Sequence, residues 1–224
     1  MTGGTDPKDA FVEANTAIAR PPLVPEIALH QATEITPIWH ATESFLEESG
    51  LEPPFWSFAW AGGQALARHL LDNPEIVRGK RVLDFAAGSG LAGIAALMAG
   101  AARVEAVEID AYAGAAIRLN AVLNGPFDGF GPDIRLGDIV DHPNLGWDVV
   151  LAGDVCYERA MAGRVFPWLR RLAGSGALVL MGDPNRTYLP KEGLTRIARY
   201  AVETTRAIED TDVRNAVVWR IEPD

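Results

Sequence analysis

From Gly63 onward, short apolar runs alternate with longer stretches of helical spacing. Arg81–Phe85 (RVLDF) reads as a strand, followed by glycines and a helix over Leu91–Ala99. Val104–Ile109, Ile134–Leu136, Asp148–Ala152 and Ala177–Met181 read as further strands, with helices over Ala111–Leu123 and Met161–Leu172 among them. Gly63–Leu71 and Lys191–Tyr200 also carry helical spacing. Strands that alternate with helices predict a parallel sheet covered on both faces. The C-terminal end departs from this pattern. Val202–Ile208 and Ala216–Ile221 read as two strands with only a short turn, Asp210–Asn215, between them. A parallel pair needs a long crossover, so these two must be antiparallel. The expectation is an α/β domain over residues 53–224, with a mostly parallel sheet that ends in an antiparallel hairpin.

The first 52 residues read as an N-terminal extension packed on that core. Asp6-Pro7 has the form of a cap and first helical residue, with Phe11, Ala14 and Ile18 spaced for one helix face. Ile27–Gln31 reads as a short strand, and Thr36-Pro37 starts a second helix with Ile38, Ala41 and Phe45 on one side. Pro53-Pro54 then breaks the chain ahead of an aromatic cluster, Phe55, Trp56, Phe58 and Trp60.

Composition narrows the function. Of 224 residues, 48% are hydrophobic, enough for a large core, and the formal net charge is −10. So acidic a chain repels phosphate backbones, which argues against nucleic acid as partner and favours a basic one. The single cysteine, Cys156, has no partner within the chain, and the reading is a reduced, cytoplasmic compartment. The N-terminus carries no apolar run behind a basic start, so no signal peptide is expected. Phe85–Ala102 is free of charge and long enough to imitate a membrane span, but its glycines mark a loop feeding a buried helix, and no membrane association is expected. The four histidines, His30, His40, His69 and His142, show no metal spacing, so no metal is expected; His69 reads as a surface helix residue.

The candidate chemistry lies where the strands end. Gly88-Ser89-Gly90-Leu91-Ala92-Gly93 satisfies a dinucleotide fingerprint, and Glu108 ends the next strand near the distance of a ribose-binding acid. That pattern fits NAD and S-adenosylmethionine alike. Charge separates them, because pyrophosphate needs a helix N-terminus without a nearby anion, and Asp84 stands at the mouth of the loop. Asp138 and Asp154 end two further strands. Four carboxylates on this edge suit a cationic ligand and a cationic substrate. Strand-end acids also cap helices, the role read for Asp110 and open to Asp138.

The segment Pro54-Phe55-Trp56-Ser57-Phe58-Ala59-Trp60-Ala61-Gly62-Gly63-Gln64, together with Asp154-Val155-Cys156-Tyr157, resembles the lysine methyltransferases of the electron transfer flavoprotein beta subunit. They belong to a wider seven-stranded group that includes ribosomal-protein methyltransferases. The resemblance spans roughly Pro53 to Pro190. It implies a Rossmann-like seven-stranded methyltransferase sheet and S-adenosyl-L-methionine as cofactor. It places Asp84, Ala86, Gly88 and Gly90 on the methionine side, Glu108 and Ile109 at the ribose, Asp138 and Ile139 at adenine, with Trp60 and Gly153 as further cofactor contacts. It makes Asp154 and Tyr157 the catalytic pair at the target lysine, and Trp56, Asp183 and Arg186 substrate contacts. Trp56 reads equally as a core aromatic. Ala86 departs from the group, where glycine is common, and Ile139 stands where an aromatic often stacks on adenine.

The implied reaction is protein-lysine methylation, with the beta subunit of electron transfer flavoprotein as partner. A ribosomal protein or a small amine would use the same chemistry. An NAD-dependent oxidoreductase is the reading from another class. No Asn/Asp-Pro-Pro-Tyr/Phe motif follows the fourth of these strands, which argues against DNA adenine as acceptor.

Overall fold

The computed structural model describes residues 6–33, 53–127, 131–204 and 213–224. The helix expected from Thr36-Pro37 and the turn expected to join the last two strands fall wholly or largely outside them.

Three N-terminal elements come first: helix α1 (Pro7–Asn15) and strands β1 (Ala17–Ala19) and β2 (Leu29–Gln31), which pair antiparallel. Asp6 caps α1 through Lys8 N–H, with Pro7 at the first position, where its missing donor is harmless. Ile18, expected on that helix, instead lies in β1 and is exposed. This segment packs on helix α4 (Ala111–Asn124) through Val12, Ala32, Ala113 and Ala116. Two α4 amides bind it further. Asn120 Oδ1 accepts from His30 N–H at 2.7 Å, and Asn124 bonds both backbone groups of Ala28.

The main sheet has seven strands: β3 (Arg81–Phe85), β4 (Arg103–Glu108), β5 (Asp133–Leu136), β6 (Val149–Gly153), β7 (Leu178–Asp183), β8 (Leu194–Glu203) and β9 (Val213–Ile221). Their spatial order is β5-β4-β3-β6-β7-β9-β8; the first five are parallel, and β9 runs antiparallel between β7 and β8. The expected mostly parallel sheet with an antiparallel end is therefore present. The strands' period of two divides the core. Val82, Val149, Leu151 and Leu180 face helices α2 (Ala61–Asp72) and α3 (Leu91–Met98), whereas Leu83, Val150, Val179 and Met181 face helix α5 (Arg159–Gly174).

One element differs from expectation. Residues 194–200, read as helix, form the first part of β8. The register of β8 on β9 shifts between Arg196 and Ala198, leaving Ile197 as an extra residue. That bulge breaks the alternation and gives the apolar positions a helix-like spacing. His69, expected at the surface, is buried beneath β8, its Nδ1 lying 3.1 Å from the Tyr200 hydroxyl.

Candidate active site

Turns at the carboxyl ends of β3, β4, β5 and β6 open onto one edge of the sheet, where ligands of open α/β sheets sit. A cleft of about 340 Å³ is lined there by Ala86, Glu108, Ile109, Asp138, Val140 and Tyr157, with Met161 and Arg164 contributed by α5. The chain turns out of β3 through three left-handed residues, Ala86 (φ +51°), Gly88 (φ +55°) and Gly90 (φ +78°), and Gly90 then caps α3. Glycine adopts this conformation freely, but Ala86 does not, so its backbone carries strain at the cleft wall.

The carboxylates do different work. Glu108 spans the turn: one oxygen accepts from Gly88 N–H at 2.6 Å and the other from Ile109 N–H at 3.0 Å. Burial holds its carboxyl above the usual range, opposed by those backbone bonds. Asp138, more exposed, accepts from Val140 N–H and pairs with Arg164 at 2.5 Å, and both bonds lower its pKa. Asp84 lies behind the glycine turn, nearly fully buried, accepting from Gly93 N–H at 2.7 Å. Burial pushes its carboxyl up to about 8, and among the described residues no cation pairs with it. Glu108 and Asp138 thus share the cleft, whereas Asp84 stands outside its lining.

Two other positions change role. Ile139, expected to line the adenine site, is fully buried in the core, and Val140 faces the cleft in its place. Trp56, offered as a substrate contact, is 3% exposed and packs on α4, so the structure gives it the core role.

A second group adjoins the cleft. Asp154 follows β6 with φ +56°, a left-handed conformation that aspartate tolerates better than most residues with a Cβ. Its Oδ2 accepts from Gly63 N–H at 2.9 Å, and its Oδ1 accepts from Arg186 Nη2 at 3.0 Å. This geometry depends on glycines at two chain crossings. A Cβ on Gly62 would lie 2.3 Å from the Gly182 carbonyl oxygen and 2.5 Å from Asp154 Oδ2, and one on Gly153 would lie 3.2 Å from Gly63 Cα. The start of α2 therefore seats directly on the ends of β6 and β7. The Arg186 guanidinium also lies over the Trp60 ring, 5.5 Å from its centroid. Trp60 is fixed by its indole N–H, which donates to the Phe55 carbonyl at 2.8 Å. Phe55 meets Tyr157 at 5.6 Å, joining the two groups. Asp183 is fully buried and accepts from Arg186 N–H at 2.7 Å, which fixes the turn after β7. Burial and the nearby Asp183 and Asp154 push the Cys156 thiol up to about 12, which leaves it inert.

The sequence reading did not single out Val140, Met161, Arg164 or the approach of α2 to Asp154. Met161 and Arg164 carried a usable signal, since positions near the start of a crossover helix turn back toward the strand ends.

Among the described residues there is no cluster able to hold a metal and no helix long and apolar enough to cross a membrane. A mostly parallel sheet with this strand order, an acid-bordered glycine turn and a cleft at the strand ends have the Rossmann-like architecture of the seven-stranded methyltransferases. A family model described as ribosomal protein L11 methyltransferase matches residues 65–153. The magnesium protoporphyrin IX methyltransferase of Synechocystis PCC 6803, solved with bound SAM, superposes with a TM-score of 0.52 at 18% identity, covering 71% of this chain and 77% of that one. The electron transfer flavoprotein beta subunit lysine methyltransferase of Xenopus laevis is 36% identical over 99% of this chain and 89% of its own length. The human protein of the same description is 36% identical over 96% and 82%. The chain belongs to the electron transfer flavoprotein beta subunit lysine methyltransferase family, which sets aside the oxidoreductase reading.

Proposed function

We propose that this enzyme transfers methyl groups from S-adenosylmethionine to a lysine of the electron transfer flavoprotein beta subunit, with Asp154 receiving the lysine. The observation that carries this reading is the Asp154 carboxylate: one oxygen is locked by Gly63 N–H, the other already receives a cation, and an aromatic ring covers that cation.

The residues of the cleft fit the proposed cofactor. Glu108 borders it as the carboxylate for the ribose hydroxyls, Asp138 and Val140 border the adenine end, and the buried Asp84 lies behind the methionine end, where a bound cation would draw off its proton. When bound, S-adenosylmethionine supplies a sulfonium methyl, already activated for displacement. The chain then has mainly to position the nucleophile. A lysine amine, with an ordinary pKa of about 10.4, must shed a proton to solvent before it can attack. The aromatic wall of Phe55, Trp60 and Tyr157 desolvates the ammonium and favours the neutral amine, while Asp154 holds it by a hydrogen bond and orients its lone pair. Burial raises the Tyr157 pKa, so its hydroxyl stays protonated and shapes the channel without acting as base.

The test is incubation of the purified beta subunit with labelled S-adenosylmethionine, with the modified residue mapped by mass spectrometry. Wild type should label lysine. Asp154→Asn should lose about 100-fold or more in rate while keeping cofactor affinity within about twofold. Ribosomal protein L11 run in parallel covers the substrate named for the matching family model. Label on that protein alone, or full activity of Asp154→Asn, would refute the proposal.

A further inference from the structure

The carboxylate assigned to the incoming lysine is already occupied. Arg186 Nη2 lies 3.0 Å from Asp154 Oδ1, and both side chains are largely buried, at 19% and 10% exposure. The same guanidinium lies over Trp60. Carboxylate on one side and indole face on the other are the two features that recognise a desolvated cation.

Arg186 is delivered to this position by a built turn. Asp183, with no exposed surface, fixes the Arg186 backbone N–H, and Asn185 takes the left-handed conformation (φ +64°) that turns the chain back toward β6. Asparagine tolerates that conformation better than most residues. Trp60 is held in turn by Phe55, with Phe58 packed 5.5 Å from its ring.

We propose that Arg186 is an internal stand-in for the target lysine, which holds the acceptor site in the empty enzyme and must be displaced by the substrate's cationic side chain. The inference rests on the proposed function and assigns specificity within it. A carboxylate this buried is costly without a cation, and the resident guanidinium offsets that cost in the empty enzyme. Two cations cannot share Oδ1 without strong repulsion, so the arriving ammonium replaces Arg186, which swings toward solvent. Neutral nucleophiles such as serine or glutamine gain nothing from the carboxylate that would offset the lost ion pair. The device therefore admits cationic side chains and excludes neutral ones.

The test reads binding and catalysis separately. The binding probe is n-butylammonium, which has the shape and charge of a lysine tip, titrated by NMR into wild type, Arg186→Met and Arg186→Ala. If Arg186 fills the site about nine-tenths of the time, its removal should tighten binding about tenfold. Adding Asp154→Asn to either variant should abolish the gain. In turnover with the beta subunit, KM should fall by a similar factor, with kcat within about threefold of wild type. Ethylguanidinium should inhibit Arg186→Ala competitively at concentrations that leave wild type unaffected. Equal butylammonium affinity in wild type and both folded variants overturns the inference. So does a raised KM, which would make Arg186 a substrate contact, or a kcat profile moved to higher pH, which would make it a driver of lysine deprotonation. Failure of wild type to label the beta subunit, with the butylammonium difference intact, removes the proposed substrate and leaves the displaced cation standing.

Discussion

Asp84 has two incompatible requirements, and replacing it with asparagine separates them. The side chain is nearly fully buried, accepts one backbone bond from Gly93, and has its carboxyl pushed up to about 8. In the unfolded chain an aspartate titrates near about 3.9. A carboxyl whose folded pKa is raised binds its proton more tightly in the native state. Its contribution to stability is complete below about pH 4 and is lost as pH rises through about 8. Four units correspond to roughly 5 kcal/mol, and relaxation with water entry reduces this to about 2–3 kcal/mol in practice. Asp84→Asn keeps the oxygen that accepts from Gly93 and removes the charge. Its melting temperature relative to wild type should therefore rise between about pH 4 and about pH 8, by roughly 4–12 °C for a chain of this size. The opposite effect is expected on the cofactor. A sulfonium bearing an ammonium favours ionised Asp84, so wild type should release a proton on binding below about pH 8, visible by calorimetry in buffers of differing ionisation enthalpy. Asp84→Asn should bind more weakly, with that proton release gone. A melting difference independent of pH, or equal proton release in both proteins, would refute the reasoning.

Further outcomes follow from the geometry. Gly62→Ala forces a methyl against the Gly182 carbonyl and Asp154 Oδ2, and should cost about 2–3 kcal/mol by chemical denaturation. Its methyl-transfer rate should fall more than cofactor affinity does. Ala86→Gly removes strain at φ +51°, and should raise stability by about 0.5–1 kcal/mol in the same assay. Asn120→Ala removes buried bonds to His30 N–H and to the Ser89 carbonyl, and should cost about 2–3 kcal/mol. It should also speed proteolytic removal of the first 33 residues and weaken cofactor binding, because Ser89 lies in the glycine turn.

Period and punctuation made the central sheet legible: β3, β4, β6 and β7 are apolar runs with glycine or acidic residues at their ends. The Asp110 cap on α4 was equally plain, its side chain accepting from Tyr112 N–H. β8 was not, because its bulge at Ile197 removed the alternation that marks a strand. The error carried over to His69, whose cover comes from Tyr200 on that strand. In the site, residue type and strand-end position located the carboxylates but not their orientation. Asp84 folds onto the start of α3, and the turn through Gly137 (φ +135°) exchanges Ile139 for Val140 at the cleft wall. The Arg186–Asp154 pair joins residues 32 apart on the ends of adjacent strands, a proximity that depends on register.

Where Gly62, Gly153 and Gly182 meet, main chains touch with no side chain between them to repack. Mutation can enlarge such a crossing only by moving whole strands, so the Asp154 carboxylate has almost no freedom to drift. A descendant of this enzyme that changed its target would have to do so by redrawing the rim, at Phe55, Tyr157 and the 184–190 loop, around a seat that stays where it is.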